Sequence, residues 1–301
     1  MIVCDEVHNA GAAAWRKGLL IEYDARLGLS ATVERNFDDE GTEVIKNYFE
    51  NEIKSNFTLN DAIYKKKILN KFEYHIEESY LNKEEEDKYN ELSRRIAQLS
   101  NKENKRIDEE LEKILLKRRD IVKNCEEKFI AFEKILKKIN KNNLLIFCHH
   151  KQLKQVNKIL RKYSLHYNNF VTKSEFNQMG FKNAKERHEM RLNFINGFVP
   201  ILIGINILNE GINLKNADKM IILSSDNNKK DFIQRRGRIL RISKDKDISK
   251  IYDIVVRSLN EKIDKSLLKN EIKRIEIYSD SCDNKKYINQ TLKKYYGLRD
   301  N

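Results

Sequence analysis

The sequence predicts an α/β fold built on a parallel sheet. Short apolar runs alternate with segments whose apolar residues recur at helical spacing, which is the pattern of βαβ units. One proline and ten glycines in 301 residues exclude collagen-like and proline-rich chains, and also an all-β fold with many turns. Because 40% of the residues are hydrophobic, the chain can bury a core, and its length suits about two domains.

Two short strands are predicted near the N-terminus, at residues 1–4 and 27–29. Uninterrupted apolar runs predict further strands, since a strand that is covered on both faces needs no polar alternation. These buried strands lie at 144–148, 201–205, 220–223 and 251–256. Helical spacing of apolar residues predicts helices between them, notably near 186–196 and 230–240.

A different kind of segment, residues 61–141, separates the two groups of strands. Its apolar residues recur three and four apart, which predicts two long charged helices separated near residues 100–105 and packed through one apolar face. Mixed lysine and glutamate is typical of a solvated helix face. A helical connector that joins two α/β lobes is therefore favoured over an arm that contacts nucleic acid or a partner.

The C-terminal segment is predicted to be a helical basic tail, rich in lysine and tyrosine. It either docks on the preceding α/β segment or extends from it as an accessory arm. The chain thus divides into four predicted segments, which are 1–60, 61–141, 142–257 and 258–301.

The formal net charge of +13 favours a polyanionic partner, of which nucleic acid is the commonest. No apolar run approaches the roughly 20 residues of a membrane-spanning helix, and the N-terminus has no basic-then-apolar signal sequence. The four cysteines lie far apart, which fits neither a zinc site nor a disulfide framework and indicates a reducing compartment. We therefore expect a cytoplasmic protein.

Two groups of polar residues follow the predicted N-terminal strands. Asp5 and Glu6 come directly after the first strand, and adjacent carboxylates there suit a phosphate-bound magnesium ion and the activation of a water. Ser30 and Thr32 follow the second strand and offer two hydroxyls, although short hydroxyl residues often only cap the next helix. Neither group identifies a function alone.

The segment Gln-Arg-Arg-Gly-Arg-Ile-Leu-Arg at 234–241 is more specific. On a helix, Gln234, Arg238 and Arg241 share one face. Two guanidinium groups on one face can bind a polyphosphate, and Gly237 would let another backbone approach closely. A glycine inside a helix costs on the order of 1 kcal/mol relative to alanine, so a merely solvated basic helix has no reason to keep one. We therefore interpret this helix as functional.

Together these motifs resemble those of the superfamily 2 DEAD/DEAH-box (DExH) helicases, nucleic-acid-dependent ATPases with two RecA-like lobes. The Asp-Glu-Val-His at 5–8 resembles the DExH box, and the Leu-Ser-Ala-Thr at 29–32 resembles the motif that couples hydrolysis to strand movement. Residues 144–149, 209–213 and 234–241 are similar to the fourth, fifth and sixth motifs, in the right order. The general texture is most similar to the type III restriction-like branch.

The resemblance covers residues 1–256 and implies the architecture in more detail. It implies RecA-like parallel-sheet lobes, with a partial first lobe in 1–60 and a complete second lobe in 142–257. A long helical hairpin would join them, and the helical C-terminal tail would follow. ATP would be hydrolysed at the cleft between the lobes.

The resemblance also implies a role for each motif residue. Asp5 would coordinate magnesium, and Glu6 would activate the attacking water. Arg238 and Arg241 would act as arginine fingers on the γ-phosphate. The remaining residues would bind ATP or couple its hydrolysis to movement on nucleic acid, and they are His8, Ser30, Thr32, Glu210, Gly211, Gln234 and Gly237. ATP and magnesium are thus the expected cofactors.

None of the glycines is followed by lysine, so the sequence contains no Walker A loop to hold a triphosphate. We therefore predict the C-terminal part of an ATP-dependent helicase or translocase, with DNA favoured over RNA as partner. The chain alone is expected to be inactive without a first lobe supplied in cis or in trans. Two alternatives stay open, a non-catalytic nucleic-acid-binding remnant and a translocase subunit of a restriction or phage-defence complex.

Overall fold

The chain divides into two units, Met1–Thr58 and Leu59–Asn301, in a computed structural model. The structure describes residues 1–30, 38–50, 57–100, 105–170, 184–204, 214–224, 229–243 and 246–296. Within these ranges no helix is both long enough and apolar enough to cross a bilayer.

The first unit contains a two-stranded parallel sheet. Its elements are β1 (Ile2–Asp5), two short 3-10 helices (Val7–Gly11 and Arg16–Gly18), β2 (Arg26–Leu29) and helix α1 (Asp39–Tyr48). The strands lie where the sequence predicts them, with Val3 opposite Leu27. Since side chains alternate along a strand, Val3, Leu27 and Leu29 share one face of the sheet, and this face is exposed.

The second unit is built on a six-stranded sheet in which all neighbouring strands are parallel. Its strands are β3 (Lys71–Tyr80), β4 (Leu144–Phe147), β5 (Tyr167–Phe170), β6 (Ile201–Gly204), β7 (Lys219–Ile222) and β8 (Ile248–Arg257). They lie side by side in the order β3-β8-β7-β4-β6-β5. The predicted parallel sheet is confirmed.

Helices flank this sheet. Those among the described residues are α2 (Lys83–Leu99), α3 (Lys105–Lys123), α4 (Glu127–Lys138), α5 (His150–Lys162), α6 (Ala184–Ile195), α7 (Lys229–Ile239), α8 (Glu261–Tyr278) and α9 (Lys285–Tyr296). Asn82 begins α2 with a capping box, in which Asn82 and Glu85 each accept the other's backbone N–H at 2.9 Å.

The core lies on both faces of the six-stranded sheet. Along β4, Leu145 and Phe147 pack into one apolar cluster, whereas Leu144 and Ile146 pack into another. Alternate residues of a strand point to opposite faces, so the two clusters lie on opposite sides of the sheet. This double burial explains the uninterrupted apolar runs from which β4, β6, β7 and β8 are predicted.

β3 is a strand that the sequence analysis does not predict. It lies inside the range 61–141, expected to be a helical connector, and it pairs along its whole length with β8. Its buried residues Phe72 and Tyr74 alternate with charged residues, one of which, Glu78, pairs with Arg257 at 2.9 Å. Because one face of β3 carries charged residues, its sequence resembles that of the polar helices around it. The connector is therefore partly strand, and the four-segment division stays a prediction.

Of the described residues in the predicted connector, only 83–99 and 105–123 form a helical hairpin. α2 and α3 pack against each other, as the apolar spacing predicts. The second helix does not continue to the end of the connector at residue 141, because α3 ends at Lys123 and α4 begins at Glu127. Cys125 is buried at this break, and its thiol donates to the carbonyl oxygen of Tyr80 at 3.3 Å. α4 packs on β3 and β8 and so belongs to the sheet unit.

The C-terminal helices dock on the sheet unit, which decides between the two alternatives for the tail. Leu268, Ile275 and Leu292 join the same apolar cluster as Phe147 of β4. α8 also packs against α7 and β8. The described tail is therefore part of the core of the second unit.

A buried ionic cluster fixes α8 to the sheet. Arg274 on α8 donates two hydrogen bonds of 2.9 Å to the carboxylate of Asp253 on β8, and it lies 2.6 Å from Glu271. Tyr74 on β3 donates to the same Asp253 carboxylate at 2.5 Å. Burial alone would lower the pKa of Arg274, but Asp253 and Glu271 raise it above its ordinary value. Because a buried charge is costly unless it is paired, this cluster specifies where α8 docks.

Candidate functional site

The acidic pair at the end of the first strand lies at a strained turn. Asp5 is the last residue of β1, and its Oδ1 accepts a 2.8 Å hydrogen bond from the backbone N–H of Glu6. Glu6 adopts a left-handed conformation, with φ 49° and ψ 49°. Such a conformation costs a non-glycine residue roughly 1–3 kcal/mol and is enriched at functional sites. The predicted catalytic roles of the pair stay predictions.

His8 connects the acidic pair to the end of the second strand. Its Nδ1 lies 2.9 Å from the Ser30 hydroxyl oxygen and 3.4 Å from Glu6 Oε2. Only 8% of His8 is exposed, so these contacts are largely shielded from water. The structure therefore brings together three of the predicted residues, Glu6, His8 and Ser30. Thr32, predicted to act with them, lies outside the described residues.

The basic motif of the second unit lies on a helix only in part. Gln234 and Arg238 are one turn apart on α7, but α7 ends at Ile239. Arg241 instead pairs with Leu69 in an antiparallel β-bridge. The expectation that Arg241 shares the helix face of Arg238 is therefore wrong. A tertiary pairing overrides the helical propensity of this segment, which sequence spacing alone does not reveal.

Arg238 and Arg241 nevertheless influence each other. Arg238 is buried, with 8% exposed. Its burial, and after that the charge of Arg241, lower the pKa of the Arg238 guanidinium. Two positive charges thus lie close together, and one of them is shielded from water. This arrangement favours the binding of an anion, and guanidinium groups suit the oxygens of a phosphate.

The other two arginines of the motif have contacts that the sequence does not predict. Arg236 Nη1 donates to the backbone carbonyl of Ile277, near the end of α8, and more weakly to that of Asp280 at 3.4 Å. The guanidinium of Arg235 lies over the ring of Phe147, 5.2 Å from its centroid. Arg236 therefore joins α7 to α8. The arginines look alike in the sequence, and only tertiary contacts distinguish them.

Gly237 faces a space that no described residue fills. A Cβ built at this position meets no heavy atom of the described chain within 4 Å. The expectation that another backbone approaches this glycine is not met by any described segment of the chain. No packing contact among those segments requires a glycine here, and the open space leaves room for a ligand.

Lys246 caps the C-terminal end of α7, which is called the arginine helix below. The sequence does not predict this contact. Its Nζ donates to the backbone carbonyls of Ala217 at 2.7 Å and Arg241 at 3.2 Å, and also to that of Ile239. The last carbonyls of a helix lack helical partners and carry partial negative charge, so a buried ammonium stabilises them. Nothing in the sequence distinguishes this lysine from the other basic residues.

The last predicted site residues are Glu210 and Gly211 in the second unit and the proposed magnesium ligand Asp5 in the first. Glu210 and Gly211 lie outside the described residues. In the part of the chain that the structure describes, no three His, Cys, Asp or Glu side chains form a metal-binding group. Magnesium in a nucleotide site needs only one or two carboxylates together with substrate phosphates, and the exposed Asp5 is a carboxylate of this kind.

A groove of 710 Å³ lies between α4 and α5, and its apolar lining includes Phe129, Ile130 and Ile159. None of the site residues predicted from the sequence lines it. The groove is therefore separate from the predicted site.

Part of the chain matches a known protein-domain family. Residues 127–243 match the helicase conserved C-terminal domain, a stretch that includes α4 and the arginine helix α7. A search of curated proteins found no match.

Solved structures resemble this chain over most of its length. The helicase domain of Pyrococcus furiosus Hef aligns with a TM-score of 0.50 and 13% identity, over 88% of this chain and 72% of that one. The ATP-dependent Type ISP restriction-modification enzyme LlaBIII, solved bound to DNA, aligns with a TM-score of 0.53 and 16% identity. That alignment covers 94% of this chain but only 20% of LlaBIII. The C-terminal part of the Fun30 ATPase domain aligns with a TM-score of 0.47 and 14% identity, over 70% of this chain and 99% of that one.

The comparisons agree with the architecture of the second unit, although the finer placement in the type III restriction-like branch stays a prediction. The six-stranded parallel sheet with its flanking helices has the α/β fold of a RecA-like C-terminal helicase lobe, and residues 127–243 within it match the helicase conserved C-terminal domain.

Proposed function

We propose that this chain is the C-terminal part of an ATP-dependent helicase or translocase that acts on DNA. The observation that carries the proposal is the match of residues 127–243 to the helicase conserved C-terminal domain, because this stretch contains the arginine helix α7. The net charge of +13 supports a polyanionic partner. The cofactors in this proposal are ATP and magnesium.

In the second unit, Arg238 and Arg241 stabilise negative charge on the γ-phosphate. Phosphoryl transfer spreads charge over the phosphate oxygens, and a well-placed guanidinium accelerates it by roughly 10³–10⁵-fold. Burial of Arg238 supports this role, because an ion pair is stronger where water is excluded. Gln234 lies one turn away on α7, and the open space at Gly237 gives the nucleotide a path to this helix.

In the first unit, Asp5 would hold the magnesium ion and Glu6 would activate the attacking water. The ion, when bound, neutralises charge on the phosphates. Glu6 lies 3.4 Å from the His8 ring, which in turn contacts Ser30 at 2.9 Å. This chain of contacts supports a role for His8 and Ser30 in transmitting the state of the nucleotide, because a displacement of Glu6 changes the contacts of the imidazole.

A first lobe, supplied in cis or in trans, completes the enzyme in this proposal. The sequence has no glycine followed by lysine and therefore no Walker A loop. The two-stranded sheet exposes Val3, Leu27 and Leu29 on one face, whereas parallel sheets are normally covered on both faces. A covering lobe would bury these side chains. The chain alone is accordingly proposed to be inactive.

An ATPase assay tests this proposal. The nucleotide sequence upstream of and beside the gene is first searched for a Walker A lobe. The chain is then assayed alone and after fusion to, or mixing with, any such lobe that is found. We expect no hydrolysis by the chain alone and DNA-stimulated hydrolysis by the completed protein. Glu6→Gln and Arg238→Ala should each reduce that rate at least about 100-fold.

Arg161→Ala is the matched control, because Arg161 is an exposed arginine of the same unit on α5. This variant should keep the full rate. Unchanged hydrolysis in Arg238→Ala would contradict the assigned role of the arginine helix.

A non-catalytic nucleic-acid-binding module is the competing function. The absence of a Walker A loop and the net charge of +13 favour it. In that case the completed protein hydrolyses no ATP with any first lobe, whereas binding of DNA still weakens steeply as salt rises.

A further inference from the structure

The outward face of α8 carries a row of lysines. Lys262, Lys265, Lys269 and Lys273 recur at intervals of three and four residues, and all four are exposed. Residues at such intervals lie along one side of a helix. At 1.5 Å per residue, the row is roughly 16 Å long. These four residues are called the lysine row below.

Two acidic residues of α8 point into the protein instead. Asp264 accepts hydrogen bonds of 2.8 and 2.7 Å from the guanidinium of Arg257. Glu271 is buried and pairs with Arg274 at 2.6 Å. Their negative charges are neutralised by these arginines, so they do not offset the charge of the lysine row.

The exposed acids of α8 are Glu261, at its first residue, and Glu276, in its last turn. Glu261 pairs with Lys265 at 2.7 Å. An exposed pair of this kind contributes little to stability, so an incoming polyanion displaces the carboxylate readily. Between these two acids the exposed charges of α8 are all positive.

Helix α9 also has exposed lysines, and it has no acidic residues. Lys286, Lys293 and Lys294 are exposed, and the twelve residues from Lys285 to Tyr296 include no aspartate or glutamate. These lysines add positive charge next to the lysine row in the sequence. The C-terminal helices are therefore basic on their solvent side.

Helix α2 shows that a lysine-rich composition does not by itself produce a basic face. Its exposed residues include Glu84, Asp87 and Glu91 beside Lys83 and Lys88. Lys88 pairs with Glu84 at 3.6 Å. The mixed charge of α2 is typical of a solvated helix, whereas that of α8 is segregated.

The chemistry of α8 fits nucleic acid better than a membrane surface. A helix that binds a membrane surface inserts large apolar side chains between the lipids. α8 itself exposes no large hydrophobic residue, because Ile263, Leu268 and Ile275 are buried in the core. The exposed apolar side chains of Leu259, before α8, and Tyr287, on α9, are isolated in the sequence and form no apolar helix face. A phosphate backbone, in contrast, requires only cations at suitable spacing.

We propose that the lysine row binds the phosphate backbone of nucleic acid. One strand of B-DNA advances 3.4 Å per nucleotide, so the row runs beside roughly five nucleotides. Because the contacts are to phosphates, binding is independent of base sequence. The identity of the ligand rests on the proposed function, but the binding itself requires neither ATP nor the first lobe.

The test measures binding of the full chain to a fluorescently labelled DNA duplex, without nucleotide, over a series of salt concentrations. One variant replaces the whole lysine row with glutamine. The matched control replaces four exposed lysines of the α2–α3 hairpin with glutamine and so has the same net charge. These control positions are Lys83, Lys88, Lys113 and Lys117.

We expect the row variant to lose affinity at least about tenfold and to reduce the slope of log K against log salt by about 3. The control set should change affinity by less than about threefold. Equal losses in the two variants, or a loss in the hairpin variant alone, would overturn the proposal. Both variants should keep the wild-type unfolding midpoint, because every substituted side chain is exposed.

Two further measurements separate this inference from other outcomes. Binding to phosphatidylserine vesicles that depends on the row, with DNA binding unchanged, would overturn it in favour of a membrane surface. If the completed protein hydrolyses no ATP but DNA binding still depends on the row, the proposed function fails and this inference stands. DNA-stimulated hydrolysis with row-independent binding would reject this inference alone.

Discussion

The imidazole Nδ1 of His8 lies 2.9 Å from the hydroxyl oxygen of Ser30, which joins the ends of β1 and β2. The same nitrogen lies 3.4 Å from Glu6 Oε2. One imidazole thus contacts a residue at the end of each strand of the first unit. This contact gives the sequence motif at residues 5–8 a structural role in addition to its proposed catalytic one.

Ser30→Ala should lower the free energy of unfolding of the first unit by about 1 kcal/mol, the net value of a typical hydrogen bond. Pulse proteolysis over a series of urea concentrations, followed through cleavage within residues 1–58, measures the unfolding midpoint of this unit. Ser30→Thr keeps the hydroxyl and should lie closer to the wild type. Equal midpoints for Ser30→Ala and the wild type would contradict a stabilising hydrogen bond.

Gly28→Ala should destabilise the first unit by about 1–3 kcal/mol, because overpacking forces neighbouring atoms to move. A Cβ at position 28 would lie 2.9 Å from Val7 Cγ2. Gly18→Ala is the control, since a Cβ there meets nothing within 4 Å. Pulse proteolysis in urea measures both, and the added substitution Val7→Ala should recover much of the loss. A stable Gly28→Ala would show that Val7 can move aside.

The sequence predicts the strands that apolar runs mark and misses those with polar residues. β4 is found because Leu144–Phe147 is buried on both faces. β5 is missed because Asn168 and Asn169 interrupt the apolar pattern, and it is a strand only through pairing with β6. β3 is missed because its exposed charges resemble those of a solvated helix. β3 and β5 are strands because they pair with segments far away in the sequence, and local patterns do not reveal such pairing.

The candidate site, like the fold, could be predicted from the sequence only in part. Motif spacing selects Arg238 and Arg241, but it cannot reveal that α7 ends between them at Ile239. It also cannot distinguish Arg236, which binds backbone carbonyls near the end of α8, from the arginines proposed to bind phosphate. Lys246 acts on the helix from outside the motif. Each of these contacts joins parts of the chain that local patterns do not relate.

Arg274→Met should lower the free energy of unfolding of the second unit by about 3–5 kcal/mol, because it leaves buried carboxylates without their cation. Those carboxylates belong to Asp253 and Glu271. Lys265→Met removes a positive charge from the same helix but only from an exposed pair, and should cost far less than Arg274→Met. Urea denaturation followed by circular dichroism measures both. Similar costs would mean that the buried cluster is not a special determinant of docking.

The contribution of Lys246 to stability should increase with pH above about 8. Burial lowers the pKa of Lys246 from 10.5 to about 8, partly opposed by Asp218. Below this pKa the amine is protonated in both states, and its desolvation cost is fully present. Between about 8 and 10.5 the unfolded chain binds the extra proton, so raising the pH favours the folded state.

The measurement compares wild type with Lys246→Met, because the difference removes the titration of all other groups. The free energy of unfolding of the wild type, relative to that of the variant, should rise between neutral pH and a pH above the folded pKa. A difference that stays constant or falls over this range would show that burial does not depress the pKa.

Gly237→Ala should affect stability and activity in opposite directions. Alanine is favoured over glycine inside a helix by up to about 1 kcal/mol, and a Cβ at 237 meets no heavy atom of the described chain within 4 Å. The variant should therefore unfold at a higher urea concentration. If the open space admits the nucleotide, the same Cβ should reduce the ATPase rate of the completed protein.

Asn270→Ala separates the two effects, because Asn270 is an exposed residue of α8 and its replacement raises helix propensity without touching α7. It should stabilise the unit and leave the ATPase rate unchanged. A Gly237→Ala protein that is stabilised and fully active would mean that the nucleotide does not approach this position. The glycine would then have neither a packing reason nor a binding reason in this helix, and the assignment of 234–241 to the nucleotide site would depend on Arg238 and Arg241 alone.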